Sequence, residues 1–208
     1  MSKNLQSLSK HKNLQSLSKQ KNLRQLNEYE SSHPLRKGPK LFYRSKSFSL
    51  NIQPSTKKTF LVMKLFIPVV NTRELPHTDQ FLKENFPSVL TTECFNDNNL
   101  PFNIEVKTTE LGHLFEHILL DQLCLIKLSS GTCQQAMFTG RTDWDWGRDQ
   151  RGIFHISISV SESENYLLAQ AIEKTVTLTE SLISASSQKE IFSPPPSFFV
   201  PNVQFETL

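Results

Sequence analysis

The stretch from Leu111 to Ile126 constrains this chain more than any other. Its apolar residues Leu111, Leu114, Phe115, Ile118, Leu119 and Leu123 recur at helical spacing and surround almost the whole circumference. A helix that is apolar all round is buried. Yet His113, Glu116 and His117 lie within it, and burying imidazoles and a carboxylate is costly unless each finds a partner. Thr108 and Thr109 can cap this helix, and Glu110 sits favourably in its first turn.

The elements around it are read from the same signals. Phe60 to Ile67 is a short apolar run closed by Pro68, expected to be a buried strand. A short helix is expected after His77 and before Pro87, a strand at Phe102–Val106, and another at Gln134–Thr139. Gly140 to Gly152 reads as a polar loop. Ile153–Val160 alternates, with Phe154, Ile156, Ile158 and Val160 on one face and His155, Ser157 and Ser159 on the other, which is the period of a half-buried strand. Ser161-x-x-Glu164 is a capping box that opens a second long helix through Ile183. The expected fold is α+β, a mainly antiparallel sheet with two long helices packed on one face.

Charge divides the chain. Residues 1–58 carry 13 Lys and Arg against Glu28 and Glu30, whereas residues 59–208 hold 10 against 18 acids. The first part opens with a nine-residue repeat, Lys3–Lys10 and Lys12–Lys19, with a decayed third copy at Lys21–Asn27. Nine residues are two and a half helical turns, so successive Leu pairs fall on opposite sides and build no continuous stripe. The expectation is a largely disordered basic extension over 1–58, with one strand near Leu41–Leu50. A domain over 59–188 and a Pro-rich tail over 189–208, with Pro194-Pro-Pro196, complete the organisation. No aromatic residue interrupts residues 3–27, which argues against nucleic acid. No apolar run is long enough for a membrane span, no secretory signal opens the chain, and Cys94, Cys124 and Cys133 form no C-x-x-C pair; a reducing cytoplasm is expected.

His113-Leu-Phe-Glu116-His117 is an H-x-x-E-H pattern. Residues i, i+3 and i+4 share a helix face, so two imidazoles and a carboxylate are expected to converge in zinc-site geometry, in the order of an inverzincin motif. His113 and His117 would ligate, and Glu116 would take a proton from the attacking water. A third ligand is required, and Glu164 is the expected one, although its capping-box position already explains it; Glu162 and Glu173 are further candidates. Cys124, two turns beyond His117, reads as a small buried thiol. His33 and His77 read as solvated, and His155 as either core-edge or site-lining. The competing structural reading is that the paired histidines are satisfied core polar groups.

Leu111-Gly-His-Leu-Phe-Glu-His-Ile-Leu-Leu-Asp-Gln-Leu123, then Thr139-Gly-Arg-Thr142, then Gly152-Ile-Phe-His-Ile156 and an acidic helix start resemble, in that order, the N-terminal domain of cyanophycin synthetase. The likeness covers roughly residues 81–182. It implies binding of a polymer with a poly-aspartate backbone and arginine side groups and, in some members, a zinc-peptidase-like centre at the positions of His113, Glu116 and His117. The ATP-grasp and Mur-ligase-like modules of the full synthetase would not fit in 208 residues, and no phosphate loop is present, so synthesis by this chain alone is excluded. Asn96–Phe102 replaces the glycine-rich stretch common in that family, and Trp144-Asp-Trp146 departs from its pattern.

The expected activity is zinc-dependent cleavage of cyanophycin or another arginine-rich peptide polymer, with Arg141 polarising the carbonyl or holding substrate. Asp143, Asp145 and Asp149 would pair with guanidinium groups, Trp144 and Trp146 would stack on them, and Arg151 would meet aspartate carboxylates; the bland alternative is a solvated loop. A non-catalytic polymer-binding or accessory module is the second expectation, and an adaptor docking its basic repeat on an anionic surface the third. Self-association is also among the expected partners; a membrane is not.

Overall fold

The computed structural model describes residues 41–96, 100–131 and 134–189. The basic repeat, the Pro-rich tail and Cys133 lie outside the described residues. The chain divides into units of residues 1–38 and 39–208, and all that follows concerns the second.

Five strands form one antiparallel sheet: β1 (Leu41–Arg44), β2 (Phe48–Pro54), β3 (Thr59–Leu65), β4 (Gly140–Asp143) and β5 (Ile153–Ile158), in the order β1-β2-β3-β5-β4. Four helices accompany it: α1 (Thr78–Asn85), α2 (Phe102–Glu105), α3 (Leu111–Ser129) and α4 (Asn165–Lys189). The α+β class therefore holds. No helix among the described residues is long and apolar enough to cross a membrane.

The expected boundary at residue 59 falls inside the sheet. Residues 41–54 form a hairpin in which Leu41 faces Ile52 and Tyr43 faces Leu50. Phe48, Leu50 and Ile52 are buried and alternate with the exposed Asn51 and half-buried Gln53, while Ser49 is buried as well. The hairpin closes through Ser45, whose backbone N and Oγ both donate to Phe48 O at 2.9 Å. Phe102–Val106, expected as a strand, begins a short helix at Phe102 with Pro101 before it. The expected strand at Gln134–Thr139 moves to Gly140–Asp143, the first residues of the expected loop.

One face of the sheet is the core. Leu61 faces Ile156 and Met63 faces Phe154 across β3 and β5, and all four are almost fully buried. Helix α3 lies against this face and packs on α4. Phe115 meets Phe48 edge-on at 5.7 Å between ring centroids. The approach is closest at Gly112, where a Cβ would fall inside the Phe154 ring, 2.6 Å from Cδ1 and 2.7 Å from Cβ. Helix α4 is tied to the β1–β2 turn by Glu180, which accepts from Ser47 N at 2.8 Å and Ser47 Oγ at 2.9 Å. Since the obstruction at Gly112 is the root of a buried ring, Gly112→Ala should cost about 1–3 kcal/mol of stability, read as a lower midpoint in urea denaturation.

Candidate metal centre

Helix α3 presents His113, Glu116 and His117 in two directions. His113 and His117 face the segment from the 3-10 turn Pro87–Thr91 through α2, whereas Glu116 faces β4. His113 and His117 cluster with Cys94, and Glu116 is not among those donors, although its charge contributes to raising the Cys94 pKa; a 100° step separates consecutive helical residues, and the neighbouring elements take hold of each side separately.

Each imidazole is anchored through Nδ1. Thr92 Oγ1 lies 2.8 Å from His117 Nδ1, and Thr109 Oγ1 lies 2.7 Å from His113 Nδ1. Thr92 donates its one hydroxyl proton to Val89 O at 2.7 Å, so towards His117 it accepts. His117 therefore carries its ring proton on Nδ1 and turns the Nε2 lone pair inward. His113 Nε2 stands 3.2 Å from that lone pair, a separation that is favourable only with a proton or a cation between the two nitrogens. Phe102 stacks on His117 at 3.7 Å and 13° and fixes the ring plane. Burial holds the His113 pKa below its usual value, and burial followed by the neighbouring His113 charge lowers that of His117 to about 3. Neutral rings are the ligating form.

The third donor is Cys94, not Glu164. Cys94 Sγ lies 3.6 Å from His113 Nε2, and ligand atoms of Cys94, His113 and His117 all fall within 4.8 Å of one another. Asn96 Nδ2 donates to that sulfur at 3.4 Å and to Leu100 O at 2.6 Å, folding the chain around it. Burial raises the Cys94 thiol pKa. The three residues are a group that can hold a metal ion, partly open at Cys94 and His113 and closed at His117. Glu164 instead accepts from Lys127 Nζ at 2.9 Å and completes the capping box with Ser161; the Lys127 hydrogen bond keeps its carboxyl below the ordinary range.

Glu116 is held by the Gly-Arg-Thr segment. Thr142 Oγ1 donates to Glu116 Oε2 at 2.5 Å, and a Cβ on Gly140 would overlap the same carboxylate, within 2.9 Å of its carbon. Burial pushes the Glu116 pKa up to about 7 against the lowering effect of the Thr142 hydrogen bond. Arg141 lies between these two residues on the strand, so its side chain leaves the opposite face, where it makes a two-point pair with Asp143 at 2.7 and 2.8 Å.

The other expected substrate contacts are engaged within the chain. Asp145 pairs with Arg148 at 3.5 Å and accepts from Gly147 N, and Asp149 lies 2.9 Å from His155 Nε2. Trp144 and Trp146 pack against Phe154 at 6.0 and 5.9 Å, and Arg151 lies over Trp146 at 5.3 Å. Trp146 and Arg151 also line an open groove of about 320 Å³ with Arg73, Glu74 and Glu110.

Sequence reasoning missed the site roles of Cys94 and Thr92, and it read Thr109 as a helix cap, whereas Glu110 takes the N-cap position and Thr109 meets His113. The absence of a paired cysteine removed Cys94 from consideration, although it lies 19 residues before His113, and a lone threonine carries no spacing signal. These features define an α+β domain with a candidate metal centre between one buried helix and a separate segment. Compared with known protein families, with curated proteins and with solved structures, the chain finds no match.

Ser88 joins that segment to α3 by donating to Asp121 Oδ2 at 3.1 Å. Burial raises the Asp121 pKa despite hydrogen bonds from Ser88 and Gln122. A carboxyl raised in the folded state favours folding below its unfolded pKa, and that contribution is lost as pH rises through the folded value. Asp121→Asn keeps an oxygen for Ser88, so its stability relative to the parent should improve on going from pH 4 to pH 7, checked by denaturation at both pH values.

Proposed function

We propose that the chain is a zinc-dependent hydrolase of amide bonds, with Cys94, His113 and His117 holding the ion and Glu116 as the proton acceptor. Its substrate in this reading is an arginine-rich polymer such as cyanophycin. The observation that carries it is the spacing of the donors. A tetrahedral ion about 2.1 Å from nitrogen and about 2.3 Å from sulfur sets N···N near 3.4 Å and N···S near 3.6 Å; His113 Nε2 stands 3.2 Å from His117 Nε2 and 3.6 Å from Cys94 Sγ, and all three donors lie within 4.8 Å of one another. When bound, zinc supplies a Lewis acid that polarises a carbonyl and makes water easier to deprotonate. Thr92 fixes the His117 tautomer, Thr109 orients His113, and Phe102 closes one side against water. Glu116, with its pKa near 7, takes and returns a proton at neutral pH, while Thr142 and Gly140 fix its direction.

The substrate class is supported by the resemblance and by the groove. Its Glu74 and Glu110 stand with Arg73 and Arg151, so both signs of charge line one surface, as a polymer bearing carboxylates and guanidinium groups requires.

A structural role is favoured by one fact: Glu116 is not among the three clustered donors. In that reading the ion ties residues 87–105 to α3 and the protein is a polymer-binding accessory module. Metal analysis and turnover separate the two. One zinc per chain is expected, lost in Cys94→Ala and His113→Ala and kept in Glu164→Ala. Cyanophycin should be cut to short fragments, with cleavage abolished by chelator and reduced at least a hundredfold in Glu116→Gln at unchanged zinc content. Zinc retention without cleavage by the parent protein overturns the enzyme, and failure to bind zinc overturns both readings.

A further inference from the structure

The sheet face turned away from α3 has a chemistry of its own. Register places Phe42, Asn51, Val62 and His155 in one row across β1, β2, β3 and β5. Arg44, Ser49 and Lys64 form the next row on one side, and Gln53, Phe60 and Ser157 the next on the other. Alternation puts Phe66, just past β3, on this face too, and the Arg44 guanidinium lies 4.7 Å over its ring. Phe42 is 57% and Phe66 42% exposed, and Arg44, Asn51, Lys64 and His155 are exposed as well.

From β1 to β3 the charge is one-sided, whereas towards β4 the same face carries Asp143, opposite His155 and paired with Arg141, and Asp149, 2.9 Å from His155 Nε2. From Leu41 to Leu65 there are five basic residues, Arg44, Lys46, Lys57, Lys58 and Lys64, and no acid, whereas residues 66–208 hold nine basic residues against 18 acids. All five basic side chains are exposed. The sheet's β1–β3 half is therefore a positive, aromatic-bearing surface on an otherwise acidic domain. The argument against nucleic acid from the aromatic-free repeat concerns residues 3–27 and not these strands.

We infer that the open face of β1–β3 binds single-stranded nucleic acid, its bases stacking on Phe42, Phe60 and Phe66 and its phosphates meeting Arg44, Lys64 and the lysines of the β-turns. Charge complementarity selects a polyanion. The exposed rings select one whose planar groups are free to stack, which a duplex does not offer. Asn51, Gln53 and Ser157 between the rings supply hydrogen-bonding groups suited to base edges, and they interrupt the continuous apolar surface that a membrane would need. A second copy is disfavoured because two such faces would repel. The surface lies across the sheet from Cys94, His113 and His117, so it stands independently of any metal.

Fluorescence anisotropy on the full chain tests this with a labelled oligouridylate, an oligothymidylate, a duplex of equal length and phosphatidylserine vesicles. Oligouridylate or oligothymidylate should bind, with the duplex and the vesicles weaker. Phe42→Ala and Phe66→Ala should each weaken single-strand binding by about fivefold or more with the salt slope unchanged. Phe42→Trp should hold the parent affinity. Arg44→Ala with Lys64→Ala should reduce the slope of log affinity against log salt by about 1.4. Absence of single-strand binding overturns the inference, as does equal or stronger binding of duplex or vesicles. Affinity unchanged in the phenylalanine variants overturns it too, by placing the binding elsewhere in the chain, and so does loss in Phe42→Trp equal to that in Phe42→Ala, by placing the effect in the edge strand rather than in stacking.

Discussion

Two imidazoles one turn apart on helix α3 and the carboxylate between them, buried or half-buried, oblige the surrounding chain to answer their polar atoms, and much of the structure follows from how it does so. Thr92 and Thr109 take the two Nδ1 atoms, and Cys94 approaches the inner Nε2 pair. Thr142 takes one carboxylate oxygen, and Gly140 leaves room for the other. Thr92 and Cys94 come from the segment after the 3-10 turn, Thr109 from just ahead of the helix, and Thr142 and Gly140 from β4, so the helix organises the chain on both of its sides. An unanswered group at any of these positions would be costly in so dry a setting. The two glycines that matter have the same physical role: Gly112 lets α3 settle on Phe154, and Gly140 lets Glu116 lie against a strand.

Strong periodicity was legible and contextual chemistry was not. Helix α3, strands β3 and β5 and the short helix ahead of Pro87 follow from spacing because apolar burial dominates in each, and the Ser161–Glu164 box follows from its polar capping pattern. Of the hairpin of β1 and β2 only one strand near Leu41–Leu50 was legible, because Arg44, Lys46, Asn51 and Gln53 dilute the signal of Phe48, Leu50 and Ile52. Gly140–Asp143 carries no apolar side chain, so no pattern could distinguish an edge strand from a loop. At the site, the histidines were legible because they lie one helical turn apart. Cys94 was not, because a donor from another segment is placed by tertiary packing.

Glu164 illustrates the same limit from the other direction. An acid 47 residues beyond His117 had a local explanation and a distant one, and the local one holds, strengthened by Lys127. The acids and arginines of residues 141–151 behave similarly. Proximity in sequence lets them neutralise each other as Arg141 with Asp143 and Arg148 with Asp145, and exposed pairs of this kind add little stability. Their effect is to leave the charge contrast of the domain to the lysines and arginine of β1–β3 on one side and the acids elsewhere.

The strand that carries Gly140 and Thr142 is the last in the sheet order. Among the described residues it pairs on one side only, with β5. The buried carboxylate is thus one hydrogen bond away from the edge of the sheet. Any molecule that docked along that margin and shifted the strand would retune the buried acid without touching the imidazoles.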